Sequence, residues 1–230
     1  IELAARDKLP PSALRLVQIA QSNSDRLTDI VNDILDLEKI SSGEISFSMV
    51  DVDLCALVQS AQSEMMPFAV THKTKLELVL PKDELHIAAD SGRMMQVMAN
   101  LISNACKYSY EDTDVTVTVE KRDDVAVVYV QNIGPGVPES FKGRIFQRFS
   151  QADGSDTRAK GGTGLGLNIT REIVWRHGGE IGFESTPEGP TIFWFTCPIT
   201  QLSEGQAPAT EKLPRPVPGK RLKVLHLEDD

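Results

Sequence analysis

The chain has 230 residues, 40% of them apolar and 25% charged, a balance that permits a substantial core and excludes disorder throughout. A formal net charge of -9 and a sequence pI near 5.0 speak against a nucleic-acid coat, while leaving room for a local basic pocket. Cys55, Cys106 and Cys197 are odd in number, far apart and without metal-ligand spacing, so they read as packing residues and not as a disulfide frame or zinc site.

Residues 1–8 read as the end of a helix, closed by Leu9-Pro10-Pro11, where proline removes a backbone donor and restricts the residue before it. From Ser12 to Ser41, apolar or small residues recur at Leu16, Ala20, Asn23, Leu27, Ile30, Ile34, Leu37 and Ser41, alternating spacings of four and three. That is a heptad seam, with Asn23 as a register-fixing polar residue. Val17, Val31 and Leu35 widen the stripe, which favours a multi-helix bundle formed between molecules over a helix packed on its own domain.

Beyond Gly43 the pattern is mixed. We expect a strand near Ile45 to Val50, a helix from Leu54 to Ala69, strands at Lys75 to Leu80 and His86 to Ala89, and a helix from Ser91 to Lys107. Alternating runs at Asp114 to Glu120 and Val125 to Val130 predict a hairpin, followed by a helix from Leu165 to His177 and strands at Glu180 to Glu184 and Thr191 to Cys197. Without regular βαβ alternation these elements indicate an α+β fold, a two-layer sandwich of a mixed sheet and helices. The polar stretch between Phe149 and Gly161 reads as a mobile loop, and Pro208, Pro214, Pro216 and Pro218 mark a linker over 201–220. No apolar run approaches the roughly 18 residues needed to span a bilayer, and no signal-like segment opens the chain. A cytoplasmic setting without membrane contact is expected, although an anchor could lie outside a chain that we read as a fragment.

Two segments carry chemistry. On a helix, Arg93, Gln96, Asn100, Asn104 and Lys107 fall within a sector roughly 80° wide, while Met94, Val97, Met98, Leu101, Ile102 and Ala105 take the adjacent sector and face the core. An amide oxygen is a reasonable hard ligand for magnesium shared with phosphates, and Lys107 can neutralise phosphate charge. Sixty residues on, Gly162, Gly164 and Gly166 precede a helical pattern, which strips Cβ atoms where backbone approaches phosphate. Either segment alone has an ordinary explanation, a solvated helix face or a turn; together they point to a nucleotide.

Here the chain resembles the sensor histidine kinases. Asn100-Leu-Ile-Ser-Asn104-Ala-Cys-Lys107-Tyr108 looks like their N box, Gly134-Pro-Gly136-Val-Pro138 their G1 box, Ile145-Phe-Gln-Arg148-Phe149 their F box, and Gly162-Thr163-Gly164-Leu165-Gly166-Leu167 their G2 box. The match runs from the heptad helix to about Pro198. It implies the ATP-binding fold shared with gyrase-type topoisomerases, with ATP and Mg²⁺ as cofactors and transfer of the γ-phosphoryl group to a histidine. By that resemblance Asn104 holds the metal, and Asn100 and Lys107 serve catalysis as well as binding. Tyr108 lies near the adenine or ribose, and the 149–162 segment is an ATP lid offering Arg148, Arg158 or Lys160 to phosphate. The G2 residues present backbone N–H groups at a helix start.

The family's G1 box usually begins with an Asp; this chain has Asn132, whose amide oxygen can still accept the adenine amino group with less energy. Gly189-Pro190-Thr191 is a second departure. Hydrolytic relatives carry a Glu four residues before the magnesium asparagine, and Asn100 cannot act as a general base. An ATP-hydrolysing clamp or chaperone is therefore a weaker reading, and a nucleotide-binding dimerisation scaffold without kinase activity is another. His72, His86, His177 and His226 lack the family's H-box context, so the phosphoacceptor is expected outside the fragment. Lys223-Val-Leu-His-Leu-Glu228-Asp229-Asp230 resembles the start of a receiver domain, making the parent a hybrid kinase. The implied organisation is a partial dimerisation bundle at 1–43, an ATP-binding domain at 44–200, the linker, and a truncated receiver at 221–230. The implied partners are a second copy through the bundle and a response-regulator receiver, own or separate, with no nucleic acid.

Overall fold

The computed structural model describes residues 10–41, 47–150 and 163–200. The expected helix end at 1–8, most of the expected lid, the linker and the receiver-like segment lie outside them.

The first described element is the helix α1 (Pro11–Ser41), as the heptad spacing predicts. Its stripe is left in the open, for Leu16, Ile19, Leu27, Val31, Ile34 and Leu35 are exposed, Leu27 by 61%. There follow β1 (Val50–Asp53), α2 (Leu54–Thr71), β2 (Lys75–Val79), β3 (His86–Ala89), α3 (Ser91–Tyr108), β4 (Asp114–Arg122) and β5 (Val125–Gly134). The set continues with α4 (Glu139–Lys142), α5 (Gly166–Arg176), β6 (Ile181–Ser185) and β7 (Gly189–Pro198).

Five strands form one sheet in the order β2-β4-β5-β7-β6, parallel only between β2 and β4. β1 and β3 make a separate antiparallel pair. The period-two alternation puts Val117, Val130 and Phe193 in one row across three strands and Val119, Val128 and Phe195 in the next, all buried. Against that face α2, α3 and α5 lay Leu54, Val58, Met94, Met98, Leu101, Ile169 and Ile173, closing a single core. Each such side chain contributes about 1.5–3 kcal/mol on leaving water. The result is the expected two-layer α+β sandwich. Cys106 and Cys197 lie inside it as packing residues, and burial pushes the Cys197 thiol up to about 12.

Local chemistry fixes where the two long domain helices begin. Asp53 caps α2 by accepting from the Cys55 N–H at 2.9 Å, and Asp90 caps α3 by accepting from the Arg93 N–H at 3.1 Å. The Asp90 carboxylate also accepts from Ser48 N–H at 3.0 Å. Burial raises its pKa, but the two N–H bonds and the neighbouring positive charge outweigh that and hold it below the usual carboxylate value. The Asp90 N–H in turn donates to His177 Nε2 at 3.0 Å, while His177 Nδ1 donates to the Ile173 carbonyl at 2.7 Å. His177 is therefore a buried ring that joins the start of α3 to the end of α5.

Candidate functional site

Asn100, Asn104 and Lys107 share one face of α3, half-buried, with the apolar face turned to the core as the sequence predicts. The glycine segment meets that face directly. A Cβ built on Gly166 would run into Asn100 Oδ1, so the missing side chain at 166 leaves room for the Asn100 carboxamide where it stands. Asn100 Nδ2 donates to Thr170 Oγ1 at 2.7 Å, and Asn104 Nδ2 donates to Asn100 Oδ1 at 3.4 Å. Both ends of the Asn100 carboxamide are thus engaged within the protein, while among the described residues no partner claims Asn104 Oδ1.

Leu165, buried, precedes α5 and caps it with no side-chain hydrogen bond. Its own N–H donates to Thr163 Oγ1 at 3.1 Å. The first N–H groups of α5 therefore lack a capping side chain beside Gly166 and half-buried Leu167, the arrangement that favours an anion. Gly164 takes φ +73 and lies 3.1 Å, measured from its missing Cβ, from Phe149 Cα. Phe149, 65% exposed and at φ 58, and exposed Arg148 are so brought to the glycine turn.

The G1 segment joins the same face from the sheet. A Cβ on Gly134 would run into Tyr108 O and would stand 3.3 Å from Asn132 Nδ2, so Asn132, Gly134 and Tyr108 converge where α3 ends. Asn132 points to the helical layer in line with Val128 and Val130 and is 2% exposed. A carboxamide at that position, beside Gly134 and Tyr108, can accept from a ligand that brings a donor. Lys107 Nζ lies 5.8 Å from the Phe68 ring centroid, at the α2 side of this face.

Not every expected residue converges. Gly136, at φ +79, packs on the turn between β6 and β7, with Thr186 O 2.7 Å from its missing Cβ, so the fold itself accounts for that glycine. Arg158, Lys160 and Gly162 lie outside the described residues. Two contributors escape sequence reasoning: Thr170, which anchors Asn100, and Asn168, whose Nδ2 donates to Phe146 O at 2.9 Å and ties the F segment to α5. Polar residues on the buried face of a helix, four and two positions after Gly166, are the available signal.

The chain matches the profile described as histidine kinase-, DNA gyrase B-, and HSP90-like ATPase over residues 89–201. The sensor histidine kinase GacS of Pseudomonas protegens is 34% identical over 231 positions, covering 97% of this chain and 24% of GacS. The chain spans about a quarter of the length of the curated relatives it matches. Among solved structures, full-length ShkA in complex with AMPPNP superposes with a TM-score of 0.72 at 28% identity, over 86% of this chain and 41% of ShkA. The nucleotide-free catalytic domain of the histidine kinase ThkA gives 0.58 at 30% identity, over 67% of this chain and 96% of that domain. ThkA with the response regulator TrrA gives 0.67 at 26% identity, over 84% of this chain and 53% of that one.

Proposed function

This chain belongs to the sensor histidine kinases, and we propose that it binds magnesium-complexed ATP between α3 and the start of α5 and passes the γ-phosphoryl group to a histidine supplied from outside residues 1–230. The observation that carries this reading is the contact of Gly166 with Asn100, which sets the uncommitted Asn104 oxygen beside an uncapped helix start. The residues fit the metal in that Asn104 Oδ1, turned from the Nδ2 that bonds Asn100, is a single hard donor suited to an ion shared with substrate phosphates. Magnesium, when bound, would neutralise charge on the phosphate oxygens.

The chain's own residues do the rest by position. Lys107 and the α5 N–H groups meet the phosphates, and Asn132 receives the adenine amino group next to Tyr108. Arg148, Phe149, Lys160, Gly162, Thr163 and Gly164 border the phosphates as the lid closes. Transfer forms an N–P bond from an unprotonated imidazole nitrogen as the bond to the β,γ-bridging oxygen breaks, ADP leaving with the electron pair. That loose transition state needs orientation and countercharge more than covalent help. Water attack is disfavoured, because Asn100 is an amide with both ends committed and can take no proton.

Residues 44–200 then form the nucleotide-binding part and 1–43 belong to a dimerisation bundle, supported by the uncovered stripe of α1. A response-regulator receiver is the partner of phosphotransfer, as the ThkA–TrrA complex suggests by analogy. No described helix is long and apolar enough to cross a membrane; we place the domain in the cytoplasm with its nucleotide. Asn104→Ala is expected to abolish calorimetric binding of Mg²⁺-AMPPNP, and an unchanged affinity would contradict the assigned site.

A further inference from the structure

The Asn104 carboxamide ends in an oxygen and a nitrogen of nearly equal size, and only the oxygen suits a cation. A half-turn of the amide exchanges them, so its neighbours must decide which one faces out. Asn104 Nδ2 donates to Asn100 Oδ1, which leaves Asn104 Oδ1 outward. Asn100, however, is a carboxamide with the same ambiguity. Its nitrogen is held by Thr170 Oγ1 at 2.7 Å, on the other helix, and its oxygen side is walled by Gly166.

Thr170 is 1% exposed and β-branched on a helix, so its hydroxyl oxygen has few rotamers to visit. In the structure that oxygen accepts from Asn100 Nδ2 and so ties the Asn100 carboxamide to α5. We propose that Thr170 is a positioning residue: through Asn100 it sets the orientation of the Asn104 carboxamide and thereby the affinity for the metal–nucleotide complex. The idea rests on the reading of Asn104 as the magnesium ligand and adds to it a two-step relay from α5 to α3.

The test titrates the full chain with AMPPNP in Mg²⁺ and in EDTA. Thr170→Val keeps the shape and removes the hydroxyl, leaving Asn100 free to reverse. Affinity in Mg²⁺ is expected to fall about tenfold while affinity in EDTA stays within twofold, and Thr170→Ser restores the wild-type value. The decisive arm uses Asn100→Asp, whose two oxygens make its orientation immaterial. In that background Thr170→Val should change Mg²⁺-AMPPNP affinity less than twofold.

Wild-type affinity in Thr170→Val, or an equal loss in both backgrounds as plain packing would give, overturns the proposal. Thr170→Ala, which adds no new group, repeats the comparison should the valine chain fold poorly, and the same two outcomes overturn it. If Asn104→Ala keeps its magnesium dependence, the metal assignment fails and this relay with it; if Asn104→Ala loses that dependence while Thr170→Val does not weaken binding, the relay alone fails.

Discussion

Asn132 occupies a core-facing position of β5 between Val130 and Gly134 and carries its carboxamide beside the end of α3. A carboxamide oxygen in that place can accept from a ligand's amino group. A neutral acceptor contributes about 0.5–1.5 kcal/mol and a charged one about 1.5–3, so Asn132→Asp should tighten AMPPNP binding about fivefold. Calorimetry decides it, and an unchanged or weaker affinity would place the adenine elsewhere. At this scale Asn104, Gly166 and Asn132 were legible because spacing along one helix or one motif identifies them. Thr170 was not, since its partner is 70 residues away and only the crossing of two helices brings them together. The role of His177 was hidden for the same reason: its ring bonds reach Ile173 and Asp90, and only one of these is near in sequence.

Among the elements, α3 depends on its first turn. Asp90 satisfies an otherwise orphan N–H there and holds the Ser48 segment against the helix that carries Asn100 and Asn104. Asp90→Ala should cost about 1 kcal/mol at neutral pH. Because the folded carboxyl is held below its ordinary value, its stabilisation is present above the unfolded carboxylate pKa, about 3.9, and is lost as pH falls through the lowered folded value. Melting curves of both chains should therefore stay separated from pH 5 to 8 and converge below about pH 4; a gap that persists in acid would deny the carboxylate its role. The helices and most strands were readable from periodicity, within a few residues. Residues 45 and 46 of the strand expected near Ile45 to Val50 lie outside the described residues, and the described strand spans Val50–Asp53, where antiparallel pairing of Val50 with Ala89 and of Asp53 with His86 sets its register. The four-residue α4 is too short to leave a period, and was not foreseen.

For the molecule as a whole, sheet and helices share one core, while α1 keeps an apolar stripe uncovered. The layer architecture was legible because strand alternation and helical stripes each demand a covering partner. The strand order was not, since pairing β5 with β7 across some sixty residues leaves no local mark. In the proposed complex the metal–triphosphate lies between α3 and the glycine-opened start of α5. The most direct measurement is paramagnetic broadening of the ¹⁵N-labelled chain by Mn²⁺-AMPPNP. The Asn104 side-chain amide and the backbone amides of residues 164–168 should vanish first. The Asp123-Asp124 turn should persist, at the far end of β5 and about 26 Å from Asn132 at 3.3 Å per residue. Broadening centred elsewhere, with the Asn104 signal intact, would contradict that placement of the nucleotide.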